Sequence, residues 1–217
     1  MPTDANPLIQ NDYRPIPWWS LVIFLVALPV IGVGAVRLMP NQETITVLGT
    51  FFAIGLAAVL VAVAPLGRAA ISALGLRPAN WKYLVFGALG TLALSVGVSQ
   101  IGVEPQGVKQ VIDILPGRLG VGLVLLAVLA PIVEELVFRG LLYGWVAGRW
   151  GSIAAWIVSS LAFAAAHVEL AHVIMVLPLG ILFGWLRRRT DSLLPSLFSH
   201  IVNNGFALIA AVYLPGV

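Results

Sequence analysis

Apolar stretches follow one another along nearly the whole chain, most of them roughly 17 to 25 residues long, enough for a helix to cross a hydrocarbon core of about 30 Å. Water alone cannot be the solvent of such a chain. Of its 217 residues, 60% are hydrophobic and 10% charged, where a soluble domain carries about 25% charged residues. The fold class this dictates is all-α: a polytopic membrane helix bundle of about seven transmembrane helices.

The stretches predicted to span are residues 18–36, 45–64, 81–99, 119–147, 153–167, 173–186 and 193–213. Arg37, Pro40 and Asn41 end the first, and Pro65 and Gly67 the second, because charge and helix-breaking residues both stop a helix. In the basic connector that follows, residues 68–76 suit a short interfacial helix. Residues 100–118 form the longest polar loop, with Glu104, Lys109 and Asp113. The fourth run is too long for an untilted span and is interrupted by Pro131. Ahead of the first span, residues 1–17 are a polar arm whose one basic residue is Arg14. It reads as an extended lead to an interfacial anchor at Trp18 and Trp19 and not as a cleavable signal peptide. Residues 18–217 then make a single integral membrane domain, with its polar motifs concentrated in 119–213. Gly140, Gly144 and Gly148, and again Gly180 and Gly184, recur at spacing four and give their helices flat strips for close packing.

The net charge is +3, but the basic residues sit at helix ends instead of in a stripe, which argues against nucleic acid as a partner. With the N-terminus inside, Arg14, Arg68, Arg77, Lys82, Arg149 and Arg187 to Arg189 fall on the cytoplasmic side, against Arg37, Lys109 and Arg118 outside. The positive-inside rule therefore predicts a multi-pass protein of a prokaryotic plasma membrane with a cytoplasmic N-terminus. The absence of cysteine removes disulfides, thiolate zinc sites and cysteine nucleophiles together. Catalysis would have to use oxygen and nitrogen groups.

Those groups are few and they cluster. Glu134, Glu135 and Arg139 stand inside the fourth apolar run, where each unpaired charge costs on the order of 3 kcal/mol at a helix centre. Glu135 and Arg139, four apart with the acid first, share a face and can pair. Glu134 points about 100° away, and nothing in its own helix neutralises it. A carboxylate in apolar surroundings that can both take and return a proton is a candidate general base. The fifth span ends in Phe163 and His167, and the seventh carries His200 and Asn204 on one helical face. Glu134 and His167 lie respectively before and after the 148–151 turn by about 15 and 17 residues, so an antiparallel hairpin brings both to roughly 22 to 26 Å from it. His172 and Glu169 flank the connection between the fifth and sixth spans, where solvated interfacial residues are ordinary.

In these residues the sequence resembles the CAAX prenyl protease 2 family, also called the CAAX protease and bacteriocin-processing enzyme, or Abi, family. The paired glutamates and following arginine correspond to Glu134, Glu135 and Arg139; the phenylalanine and histidine four apart to Phe163 and His167; the last histidine and asparagine to His200 and Asn204. The resemblance covers about the last 90 residues. It implies an intramembrane endopeptidase in which Glu134 and His167 activate a water, His200 and Asn204 stabilise the oxyanion, and Glu135, Arg139 and Phe163 support the site. The substrate implied is a membrane-associated or lipidated peptide. The family has also been described as zinc-dependent, but HExxH spacing is lacking and a glutamate-activated water needs no metal, so no cofactor is expected, with zinc on His167, His200 and a carboxylate the alternative that the family description leaves open. Two other classes remain open from sequence: a non-proteolytic membrane partner or immunity protein, and a proton-coupled transporter. The oligomeric state is open.

Overall fold

The computed structural model describes residues 15–38, 43–103, 105–113 and 117–213. Residues 1–14 of the predicted arm, the predicted stop at Pro40 and Asn41, and Glu104 lie outside the described residues. Among the described residues nine helices follow in order: α1 (Trp18–Leu38), α2 (Thr44–Val63), the short α3 (Ala69–Ala73), α4 (Trp81–Ser99), α5 (Gln106–Asp113), α6 (119–150), α7 (152–165), α8 (Leu170–Thr190) and α9 (Leu194–Tyr213). No strand occurs among the described residues. Among the same residues six segments are long and apolar enough to cross a membrane, and one of them, Leu119–Ala165, contains both α6 and α7.

That segment folds back on itself. At Gly151 the backbone takes φ 81° and ψ 170°, a conformation essentially reserved for glycine, and the chain reverses. Phe138 and Phe163 would be about 37 Å apart along a straight helix, yet their ring centroids are 5.5 Å apart. The chain is therefore an integral, multi-pass membrane protein, with seven long helices among its described residues and α3 and α5 in the connections.

The helices α6, α7, α8 and α9 surround the polar residues, α4 packs against α8 and α9, and the α1–α2 hairpin lies against α6. Small residues set these contacts, as expected where lipid removes most of the hydrophobic drive for helices to associate. Gly180 and Gly184 of α8 lie against Ser160 and Trp156 of α7. Gly140 of α6 receives Leu74, and Gly144 receives Ile16 and the Ala73 carbonyl. The end of the N-terminal arm and the α3 connector thus fill the strip presented by α6.

Two differences from the sequence reading bear on the site. The polar loop 100–118 contains a helix, α5. In addition, Pro131 does not break α6. The helix widens into π-helical turns over Leu123–Leu129, ahead of the proline, and again over Leu136–Leu142. Such turns give room to a ring that would clash in a regular α-helix and are frequent at functional sites.

Candidate active site

The centre of the bundle is built on a hydrogen-bonded chain of buried charges. Arg139 and Glu135 are both fully buried and pair at 3.1 Å within α6. Arg139 also donates from Nη2 to the Gly180 carbonyl at 2.9 Å, a carbonyl that accepts the Ser160 hydroxyl as well. Its guanidinium lies 4.3 Å from the Phe163 ring centroid. One side chain therefore joins α6, α7 and α8 in a dry setting where each unmade polar contact is costly. On the opposite side, His200 of α9 donates from Nδ1 to Oε1 of Glu135 at 3.1 Å, while its ring stacks on Phe183, centroids 4.7 Å apart.

Glu134 has a different environment. Its side chain is 24% exposed where that of Glu135 is 0%, and its Oε2 lies 3.6 Å from Nε2 of His200. It faces a cavity of about 850 Å³, also lined by His167, His200 and Asn204. The two neighbouring carboxylates are thus divided by rotation about the helix: one fixed in the protein, one open to the cavity.

His167 sits just past the end of α7. Its Nδ1 donates to the Phe163 carbonyl at 2.9 Å, which fixes the tautomer and leaves the Nε2 lone pair for the cavity in the neutral ring. The turn after it is tight: Val168 has φ 60°, rare for a β-branched residue, and the Glu169 N–H donates to the His167 carbonyl at 2.6 Å.

Asn204 is held by the deviation in α6. Within the widened turn the Ala130 N–H reaches back five residues to the Leu125 carbonyl. The next carbonyl, of Leu126, would by the same pattern await an N–H from residue 131, which is proline and has none. Asn204 donates there from Nδ2 at 3.0 Å, and Asn203 donates to its Oδ1 at 3.4 Å. These contacts fix the amide and leave it one further N–H.

The cavity also contains a histidine expected to be an ordinary interfacial residue. His172 of α8 lines it, its ring centroid 4.4 Å from that of His167. Glu169, placed by sequence in a solvated connection, instead accepts from the Gln106 and Gly107 N–H groups at 2.7 and 3.2 Å. Two of the chain's three histidines lying five positions apart was the available signal.

Nδ1 of His167 is engaged by a carbonyl and Nδ1 of His200 by a carboxylate, which leaves each ring only Nε2 to offer a metal. Among the described residues no three His or acidic side chains are placed to hold one ion.

The description "Type II CAAX prenyl endopeptidase Rce1-like" matches residues 116–206, and that segment is similar to this family. The segment contains every polar residue just described on α6, α7, α8 and α9. The Bacillus subtilis (strain 168) protein named "Putative membrane peptidase YdiL" is 27% identical over 208 residues, covering 96% of this chain and 75% of its own length. No solved structure matches. Both relationships support, at a general level, a membrane protease of the CAAX type.

Proposed function

We propose that the chain is an intramembrane endopeptidase that hydrolyses a peptide bond in a membrane-associated or lipidated substrate with a water activated by Glu134. The observation that carries this reading is the unequal burial of the two glutamates, with Glu134 facing the same cavity as His167, His200 and Asn204. A water between Glu134 and Nε2 of His167 gives a proton to the carboxylate as its oxygen attacks the carbonyl carbon. The same carboxylate returns that proton to the leaving amine as the C–N bond breaks. The oxyanion is met by the remaining N–H of Asn204, fixed in advance by the Leu126 carbonyl, and by His200, whose ring Glu135 holds in place. Each step uses only groups of this chain, and none passes through a metal. The apolar walls of the cavity, from Phe52 to Leu208, suit a substrate that partitions into lipid.

The test is cleavage by the purified protein in detergent of a panel of prenylated and plain membrane-anchored peptides. Glu134→Gln and His167→Ala should each abolish cleavage while remaining folded; cleavage unchanged in both variants sinks the site. Activity should also survive exhaustive chelation, and its loss with rescue by zinc would overturn the metal-free mechanism.

A further inference from the structure

Helix α6 departs from α-helical pitch twice, and both departures end in the same way. Where the Leu123–Leu129 turn ends, the Ala130 N–H donates to the Leu125 carbonyl, five residues back. Where the Leu136–Leu142 turn ends, the Tyr143 N–H donates to Phe138, again five back, and shares itself with Gly140, three back. The regular partner four positions back, Leu126 in one case and Arg139 in the other, is passed over. A carbonyl left unmet inside a membrane bundle is costly, and each of these two is met by a side chain from another helix. Asn204 of α9 donates to Leu126 at 3.0 Å, and Arg187 of α8 donates from Nε to Arg139 at 3.1 Å. Between the two wide turns lie the six residues Ala130–Glu135, which carry both glutamates.

Asn204 lines the cavity; Arg187 does not. Arg187 is fully buried, its guanidinium lies 4.7 Å from the Tyr143 ring centroid, and its Nη1 donates to Asp191 at 2.9 Å. A wide turn holds about one residue more than the α-helical turn it replaces, so its loss changes the rotation of whatever precedes it by about 100°. The part of α6 beyond the turn is held in place, with Gly144 against Ile16 and the Ala73 carbonyl. Relaxation to regular pitch would therefore advance the residues ahead of the turn by one place. Glu135 would come to where Glu134 now faces the cavity, and Glu134 to where Val133 packs against Gly55 and Phe52 of α2. Two adjacent glutamates are chemically alike, and the phase of α6 decides which of them meets the cavity.

We infer that Arg187 is a positioning residue of the proposed hydrolysis: by holding the Arg139 carbonyl out of the helical ladder it keeps the second wide turn open, and that turn keeps Glu134, not Glu135, on the cavity. Arg187 touches no reacting atom and acts only through the rotation of α6. Its effect on turnover rests on the proteolytic reading, but the phase of α6 can be read without any substrate. Asp191 supplies the contrast, since it holds the other end of Arg187 and makes no contact with the Arg139 carbonyl.

Arg187→Met keeps a long apolar stem and removes the donor, whereas Asp191→Asn loosens the same side chain and leaves its Nε bond in place. Both should lower the melting temperature in detergent. Only Arg187→Met should lower kcat, by about 100-fold with KM nearly unchanged, as expected when a reacting group is misplaced. The cysteine-free sequence allows a second reading with Glu134→Cys on α6 and Met175→Cys on α8, both on the cavity wall, each reacted with methyl methanethiosulfonate. Combined with Arg187→Met, Glu134→Cys should react about 10-fold more slowly, because thiol exchange depends on access, while Met175→Cys keeps its rate. An unchanged rate at Glu134→Cys in folded Arg187→Met overturns the inference, as does an unchanged kcat. If Arg187→Met does not fold, both thiols react faster, and Arg187→Lys takes its place: lysine has one charged centre instead of a fork, so the same slowing at Glu134→Cys is expected and its absence overturns the inference. Slowing at Glu134→Cys in a parent protein that cuts no peptide keeps the role of Arg187 in setting the phase and removes the protease.

Discussion

Asn204 can act as a positioned donor only because Pro131 cannot. Replacing Pro131 by Ala supplies an N–H within reach of the Leu126 carbonyl, which Asn204 now occupies at 3.0 Å. The amide then loses its fixed acceptor while the cavity wall keeps its shape. If Asn204 meets the oxyanion as proposed, Asn204→Ala should cost about 100-fold or more in kcat, and misplacing the donor less, about 10-fold, with KM nearly unchanged. Steady-state cleavage in detergent measures both. A second prediction concerns Arg139, which uses separate nitrogens for Glu135 and for the Gly180 carbonyl. A lysine offers one charged centre in place of that fork, so Arg139→Lys should already lower the melting temperature. Arg139→Leu, which leaves Glu135 buried without its partner, should destabilise by about 3 to 5 kcal/mol. The Glu135–Arg139 pair was legible in sequence because i,i+4 spacing within one helix fixes it. That His200 reaches both glutamates was not, since this depends on how α9 is rotated against α6.

Helix positions followed closely from apolar run length: α4 matches its predicted limits, α1 runs two residues further at its C-terminal end, and α2 is shifted by one residue at each end. What run length cannot report is a departure in hydrogen-bond pitch. A proline inside an apolar run reads as a break, whereas here a π-helical turn absorbs it and creates an acceptor for another helix. Nor does run length find α5, whose sequence is polar and whose first N–H groups are capped from far along the chain by Glu169. That carboxylate meets the positive end of the helix and satisfies donors that would otherwise lack intrahelical partners. Loss of such a cap costs about 1 kcal/mol, or roughly 5-fold in the opening equilibrium. In Glu169→Ala, hydrogen exchange of the amides of residues 108–113 should therefore quicken about 5-fold. Exchange in α4 should stay as it was.

At the scale of the whole molecule the two ends of the bundle differ in how tightly their connections are packed, and two glycines on opposite ends measure the difference. Gly75 has φ 78°, and a Cβ there would stand 2.5 Å from Nη2 of Arg187 and 2.6 Å from its Cζ. Arg187 cannot yield, because it is fully buried, bonded to the Arg139 carbonyl and to Asp191, and lies over the Tyr143 ring at 4.7 Å. Gly102, in the connection between α4 and α5, has nearly the same φ of 70°, but a Cβ there would meet nothing within 4 Å. Both substitutions to Ala carry the backbone penalty of a left-handed conformation, about 1 kcal/mol. Only Gly75→Ala adds the overpacking of a rigid neighbour, a further 1 to 3 kcal/mol or so. Thermal unfolding in detergent should thus place Gly75→Ala well below Gly102→Ala, with Gly102→Ala close to the parent protein. Equal losses in the two variants would mean that the arginine-rich end gives way as readily as the α5 end, and the contrast in packing between the two ends would no longer stand.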